Sequence, residues 1–309
     1  MREVWIACIT QTGLQADTIE QMCDKFIDRM AQFAPMTPDI YCLPEGFPGV
    51  NLSIPRPPSR ELAEIPPGPI TERFAAFAKE HNTYVICPIY TRDEEGHCYN
   101  AAVVIDRSGN VLGEYRKTHL TDGEMEGFLT PGPLDPPIFE TDFGTIGIQI
   151  CFDIEWADGW QTLRDTHADL VFWPSAFAGG DKLNQLAINH HYAIAASTRK
   201  GSTRIIDIDG QTIAATGIWD PKGVCMPLNL EKAFLHTYPH QKHFDDIRAK
   251  YGRDILIKTY HDEEWTIVES RAPGLNVADV LAEFDIQTHD EMTATAEAMQ
   301  QARRPDRLA

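Results

Sequence analysis

Apolar positions along this chain of 309 residues alternate between two periods. Val4-Trp5-Ile6-Ala7-Cys8-Ile9 is an unbroken apolar run closed by the polar Thr10-Gln11-Thr12-Gly13, the pattern of a buried strand entering a loop. The period then changes. Ile19, Met22, Cys23, Phe26, Met30 and Phe33 share one face at helical spacing, with Asp24, Lys25, Asp28 and Arg29 outside it. Asp17 or Thr18 is placed to cap that helix. A second buried strand, Ile40-Tyr41-Cys42-Leu43, stops at Pro44-Glu45-Gly46, where proline removes a ladder donor and glycine permits a turn.

The proline-rich stretch from 55 to 69 has little periodicity and predicts a surface excursion, not a linker between unlike halves. Phe74, Phe77 and Ala78 mark a helix over 73–79, and Tyr84-Val85-Ile86-Cys87-Pro88-Ile89-Tyr90 a strand. Ala101 to Ile105 turns back through a Ser-Gly hairpin to Val111. Ile146, Ile148 and Ile150 alternate with Gly147 and Gln149 up to Cys151; a helix follows from about Trp160, then the strand Leu170-Val171-Phe172-Trp173. Lys182 to Ala196 reads as one helix, and Asp209-Gly210 as the turn of a hairpin between 204–208 and 212–215. Beyond about Leu235 the texture shifts to a strand at Trp265-Thr266-Ile267-Val268 and a polar, alanine-rich helix over 288–301. Phe244, Ile247 and Tyr251 also keep helical spacing. No internal repeat is present. Hairpins interrupt an early strand-helix rhythm, which favours α/β layers with mixed sheets over a purely parallel doubly wound fold. The expected organisation is one body, residues 1–235, and a C-terminal extension, 236–309, packed on that body or on a partner subunit.

Composition narrows the function classes. With 27 basic and 46 acidic side chains the net charge is −19, so a polyanion would meet repulsion where a nucleic-acid binder needs Lys and Arg. Neither a membrane-length apolar run nor the basic start of a leader peptide is found in the sequence, which predicts a cytoplasmic chain with no nucleic-acid or membrane partner. Seven cysteines, odd in number and without a Cys-x-x-Cys pair, suit reduced thiols better than a disulfide framework or a zinc finger.

Glu45, Lys117 and Cys151 each sit at or just past the end of an extended run, where α/β sheets present chemistry. Taken singly, they also read as a turn carboxylate, a surface charge and a buried thiol. Together they fit acyl transfer. A free thiol with a pKa near ~8.5 is mostly protonated at neutral pH and needs a base or a pKa-lowering neighbour. A carboxylate at 45 would take the proton. An ammonium at 117, with a backbone N–H after the cysteine, would stabilise the developing oxyanion.

Three blocks carrying these residues resemble the nitrilase superfamily of carbon-nitrogen hydrolases: Leu43-Pro44-Glu45-Gly46-Phe47, Tyr115-Arg116-Lys117-Thr118-His119-Leu120, and Gly147-Ile148-Gln149-Ile150-Cys151-Phe152-Asp153. Their reactive residues are 72 and 34 positions apart, and the likeness runs from about 3 to 235. The resemblance implies a four-layer α-β-β-α sandwich with two mixed central sheets, usually dimerised, and a Glu-Lys-Cys triad with no metal or organic cofactor. It also implies a second glutamate after the lysine block. Glu126 fits that pattern best, with Glu124 as the alternative, to hold the substrate amide or Lys117. Nitrile-cleaving members follow the nucleophile with Trp-Glu; Phe152-Asp153 here points instead to amide or carbamoyl substrates, with nitrile hydrolysis as the alternative. Phe152, Trp173, Ser175 and Phe177 are the candidate substrate-binding residues, against core packing for Trp173 and loop structure for Ser175 and Phe177. A homodimer or higher homo-oligomer is expected.

Three rivals have less support. His236, His240 and His243 would align for a metal on an unbroken helix, but Pro239 interrupts it. A papain-like Cys-His enzyme would draw on His119 or His190, yet the residues usual around such a cysteine are missing. A non-catalytic binding protein on the same fold would not bring the three side chains together.

Overall fold

The computed structural model describes residues 1–55 and 57–305. It divides into two compact units, Val4–Leu228 and a second formed by Met1–Glu3 with Asn229–Ala309. That division falls before the boundary at 235 suggested by the sequence; residues 306–309 of the C-terminal extension lie outside the described set.

The larger unit holds twelve strands in two six-stranded sheets. In chain order they are β1 (Glu3–Ile9), β2 (Ile40–Cys42), β3 (Tyr84–Arg92), β4 (Cys98–Ile105), β5 (Val111–Arg116), β6 (Phe139–Glu140), β7 (Thr145–Ile148), β8 (Leu170–Ser175), β9 (Ala193–Thr198), β10 (Arg204–Ile206), β11 (Thr212–Ala215) and β12 (Gly223–Asn229). One sheet runs β12-β1-β2-β3-β4-β5 and the other β11-β10-β9-β8-β7-β6. Both are mixed. β1, β2 and β3 are parallel, with β4 and β5 returning as hairpin partners; β7, β8 and β9 are parallel, with β6 and β10 antiparallel beside them.

Helices α1 (Ile19–Ala31), the short α2 (Ser59–Leu62) and α3 (Pro69–His81) accompany the first sheet. Thr18 caps α1, its hydroxyl accepting from the Gln21 N–H. Met22, Phe26 and Met30 of α1 and Phe74, Phe77 and Ala78 of α3 pack with Ala7, Ile9, Tyr41, Leu43, Val85 and Cys87. Phe26 meets Phe47 at a ring separation of 4.5 Å; truncating a buried Phe to Ala at such a site costs about 3–5 kcal/mol. On the second sheet, Trp160 and Leu163 of α5 (Asp158–Asp165) and Leu183 and Ala187 of α6 (Asp181–His190) pack with Val171, Trp173, Ile194 and Ile206. The short α4 (Asp122–Glu126) lies between the two halves of the sequence.

Side chains alternate across a strand, so Ile6 and Cys8 point away from the helix layer that receives Ala7 and Ile9. Both are nevertheless fully buried, as is Phe172 between Val171 and Trp173. Apolar burial on both faces of each sheet is what an α-β-β-α sandwich requires.

One expected element is corrected. The helix read over Lys182–Ala196 stops at His190, where His191 takes φ +57° and donates its N–H to Ala187 O. Tyr192-Ala193-Ile194-Ala195-Ala196 then runs into β9, fully enclosed. An alanine-rich apolar run fits either period, and burial on both faces decides it here.

The smaller unit has a three-stranded antiparallel sheet, β13 (Lys232–His236), β14 (Ile255–Tyr260) and β15 (Trp265–Ser270), with β15 central. After a turn at α7 (Thr237–His240), Phe244 and Ile247 of α8 (Phe244–Tyr251) join Leu235, Val268 and the Val277, Val280 and Leu281 face of α9 (Val277–Glu283) in one core. The terminal helix α10 (His289–Arg303) opens on a Thr288–Glu291 capping box and buries none of its residues.

Candidate functional site

Two sheet edges supply the site. In the first sheet, the end of β2 leads to Glu45, the start of β4 holds Asn100 and the end of β5 leads to Lys117; in the second, β7, β8 and β9 lead to Cys151, Ser175 and Arg199. The parallel strands point the same way, so their following residues collect at one edge.

Glu45 is 2% exposed and fully engaged. Oε1 accepts from Lys117 Nζ at 3.0 Å and Asn100 Nδ2 at 2.9 Å, and Oε2 accepts from Arg199 Nη2 at 2.8 Å. Burial pushes its pKa up, but the charges and hydrogen bonds of Lys117 and Arg199 outweigh this and hold the carboxyl down to about 2. Lys117 is 1% exposed and meets two carboxylates, Glu45 and Glu124; Glu124 Oε2 lies 2.8 Å from Nζ and Oε1 3.0 Å. Burial alone would lower the lysine pKa, and the two carboxylates, with the thiol of Cys151, raise it above its usual value. Arg199 is raised in the same way, Glu45 overcoming the effect of burial. Asn100 Nδ2 also donates to Glu124 Oε1 at 2.7 Å, so one amide spans both acids.

Glu126, favoured from sequence as the second glutamate, is exposed; the place beside Lys117 belongs to Glu124. The reason is local. Thr121 caps α4, and Glu124, three residues on, returns Oε2 to the Thr121 N–H at 2.9 Å, a capping box that turns this side chain inward. Glu126 falls on the opposite, solvated side of the same short helix.

Cys151 follows β7 with φ +48°, a left-handed conformation unusual for a residue with a Cβ and costing on the order of 1–3 kcal/mol. It opens a tight 3-10 turn, Cys151–Glu155, in which the Asp153 N–H bonds Ile150 O and the Ile150 N–H bonds Asp153 Oδ2. Trp173 Nε1 holds the Cys151 carbonyl at 3.2 Å. The Ser175 hydroxyl and the Ala176 N–H bond the thiol itself. Burial first, then the charge of Glu45, pushes the thiol up to about 12, while Lys117 and those two donors pull the other way. At neutral pH, then, the proton rests on sulfur and Glu45 is ionised, with the lysine charge in electrostatic reach of both.

Of the four residues expected to bind substrate, Trp173 and Ser175 are fully buried, and only Phe152, half-buried, and Phe177, exposed, have surface to offer. Trp173 belongs to the core under α5 and α6 and holds the Cys151 backbone, and Ser175 holds its sulfur. Phe152 packs edge-on against Trp156, and Trp156 stacks flat on His119 at 4.3 Å. Two site residues were missed from sequence, Asn100 and Arg199. Arg199 follows the strand hidden inside the overlong helix, and its strand-end position is the signal that would have found it. The histidines at 236, 240 and 243 do not form a metal-binding group: Tyr238 is extended within α7, and among the described residues the groups of potential ligands lie elsewhere.

Comparisons with known proteins bear on the family and the fold. The family described as carbon-nitrogen hydrolase matches residues 9–228. A Pseudomonas protegens protein described as a hydrolase in the pqqF 5′ region is 34% identical over 139 residues, covering 45% of this chain and 48% of that one. An N-carbamoylputrescine amidase of Oryza sativa subsp. japonica is 26% identical over 217 residues, covering 67% of this chain and 71% of the relative. The chain thus spans about half the length of the first of these relatives and more of the second. In three dimensions it is similar to an amidase from Nesterenkonia sp. AN1, in a structure showing covalent addition of the acetamide moiety of fluoroacetamide at that protein's active-site cysteine; the TM-score is 0.63 at 18% identity, over 82% of this chain and 97% of the other. Among the described residues no helix is long and apolar enough to cross a membrane.

Proposed function

The chain belongs to the carbon-nitrogen hydrolase family, and on that premise we propose that it hydrolyses a non-peptide C–N bond of a small amide or carbamoyl compound through a thioester on Cys151, releasing ammonia or an amine. The observation that carries this reading is a carboxylate, Glu45, kept ionised between two cations and in electrostatic reach of a thiol that keeps its proton. Such a pair does not store a thiolate. Proton transfer from Sγ to Glu45 is uphill in the resting site, so it accompanies attack on the substrate carbonyl, as the new S–C bond forms.

Negative charge then moves to the carbonyl oxygen, which Lys117 Nζ and the Phe152 N–H stabilise. The intermediate collapses with cleavage of the C–N bond, and Glu45 returns its proton to the leaving nitrogen. Water next attacks the thioester, giving its proton to Glu45, and the acid departs as the thiol is re-formed. Glu124 contributes through Lys117, whose ammonium it anchors at 2.8 Å. Support for amide or carbamoyl substrates over nitriles comes from Phe152-Asp153 after the nucleophile and from the amidase and N-carbamoylputrescine amidase named above. The working form we read as a cytoplasmic homodimer or larger homo-oligomer, which light scattering of the purified protein tests.

The test of activity is a panel of small amides, N-carbamoyl amino acids, ureido acids and nitriles assayed for ammonia release beside Cys151→Ala. Release from amides or carbamoyl compounds that the substitution abolishes is expected. Activity surviving Cys151→Ala, or acid formed from nitriles but not amides, overturns the reading.

A further inference from the structure

We propose that Asp153 is a positioning residue that fixes the lysine segment against the cysteine turn, with Tyr115 as its partner. The inference rests on the roles just given to Lys117 and Cys151. Asp153 is fully buried, so it does not touch substrate, and every donor to its carboxylate comes from a residue within two positions of Lys117 or Cys151. Oδ2 accepts from the Tyr115 hydroxyl at 2.7 Å, two positions before Lys117, and from the Ile150 N–H at 2.8 Å, one position before Cys151. Oδ1 accepts from the His119 N–H at 2.8 Å, two positions after Lys117, and lies 3.3 Å from His119 Nδ1.

The Tyr115 hydroxyl extends the tie. While donating to Asp153 it accepts from the Thr118 N–H at 3.3 Å and from Gln149 Nε2 at 3.3 Å, again one neighbour of Lys117 and one near neighbour of Cys151. Neither Lys117 nor Cys151 is itself hydrogen-bonded to this cluster, which holds the Tyr115 side chain before the lysine, the Thr118 and His119 N–H groups after it, and the Ile150 N–H before the cysteine. Lys117 extends beyond β5 of one sheet and Cys151 beyond β7 of the other, and no sheet ladder joins those two strands. One carboxylate, with the phenol bonded to it, therefore ties the segment that carries the ammonium to the turn that carries the thiol across the gap between the sheets. Reacting groups misplaced by about 1 Å lose on the order of a hundredfold in rate, which is the quantity such a tie controls. The same geometry reassigns the acidic half of the Phe152-Asp153 pair: it faces the lysine segment, while Phe152 alone keeps surface beside the thiol.

Tyr115→Phe and Asp153→Asn, separately and together, test this. Both keep side-chain size. Expected on the best substrate of the panel are a fall in kcat of about tenfold for Tyr115→Phe and about a hundredfold for Asp153→Asn, KM within about threefold, and a double variant no worse than Asp153→Asn alone because the two share one bond. Labelling of Cys151 by iodoacetamide at pH 8, followed by mass spectrometry, slows in both variants as the ammonium is displaced from the thiol. Wild-type kcat in a folded Tyr115→Phe, with only a lower melting temperature, overturns the proposal, and that variant alone decides if Asp153→Asn fails to fold. Should the wild type release nothing across the panel, the functional reading fails by itself, and the labelling rates still decide the positioning: slowed labelling supports it and unchanged labelling overturns it.

Discussion

Arg199 Nη2 lies 2.8 Å from Glu45 Oε2, on the carboxylate oxygen that Lys117 does not use. A base held by two cations is a weak base at rest, and the arginine is half of the reason. Burial of Glu45 acts in the opposite sense, so withdrawing one cation leaves it less opposed.

Replacing Arg199 with Met therefore raises the Glu45 pKa from about 2 towards the ordinary carboxylate range near ~4.3. Activity requires the ionised form, so it is retained above the pKa and lost as pH falls through it. The acid limb of the kcat/KM profile moves to higher pH, and an unmoved limb would show that Glu45 is not the group titrating there.

Glu124 and Glu126 separate a charge from a surface residue. Glu124→Gln keeps the N3 half of the capping box, since Gln serves there as well as Glu, but removes a negative charge 2.8 Å from Lys117. We expect a loss of about tenfold to a hundredfold in kcat with little change in melting temperature. Glu126→Gln, on an exposed side chain, is expected within about twofold of wild type. Steady-state kinetics and thermal melts on the two variants check this; a larger effect at 126 than at 124 would contradict the geometry.

What the sequence disclosed and what it hid both follow from local physics. Strand ends at Glu45, Lys117 and Cys151 were legible because apolar runs stop abruptly at turn-forming residues. Arg199 was not, because Tyr192 to Ala196 is apolar and alanine-rich, a run that reads equally as helix or strand until burial on both faces is seen. The glutamate was misplaced by two positions although the Thr121-x-x-Glu124 pattern carries its own signal, a capping box that points one acid inward and leaves the other in water. The buried role of Trp173 and Ser175 depends on which face of β8 meets α5 and α6, which alternation alone does not assign. Asp153 illustrates the remaining limit: its partners Tyr115 and His119 are remote in sequence, and only the fold brings them to it.

The resting state of the thiol gives a separate test. With Cys151 pushed up to about 12, its alkylation by iodoacetamide rises about tenfold per pH unit from pH 6 to pH 9 without levelling. Peptide mass spectrometry isolates this site from the other buried thiols. A plateau near neutrality would mean a preformed thiolate and would replace coupled proton transfer by simple nucleophilic attack.

The most direct measurement is intact-protein mass spectrometry of acid-quenched turnover mixtures, with peptide mapping of any adduct. A mass gain equal to the substrate's acyl group, on Cys151 and absent from Cys151→Ala, is the predicted result. Steady ammonia release with no acyl adduct at any quench time, or with the adduct on another residue, would contradict the account.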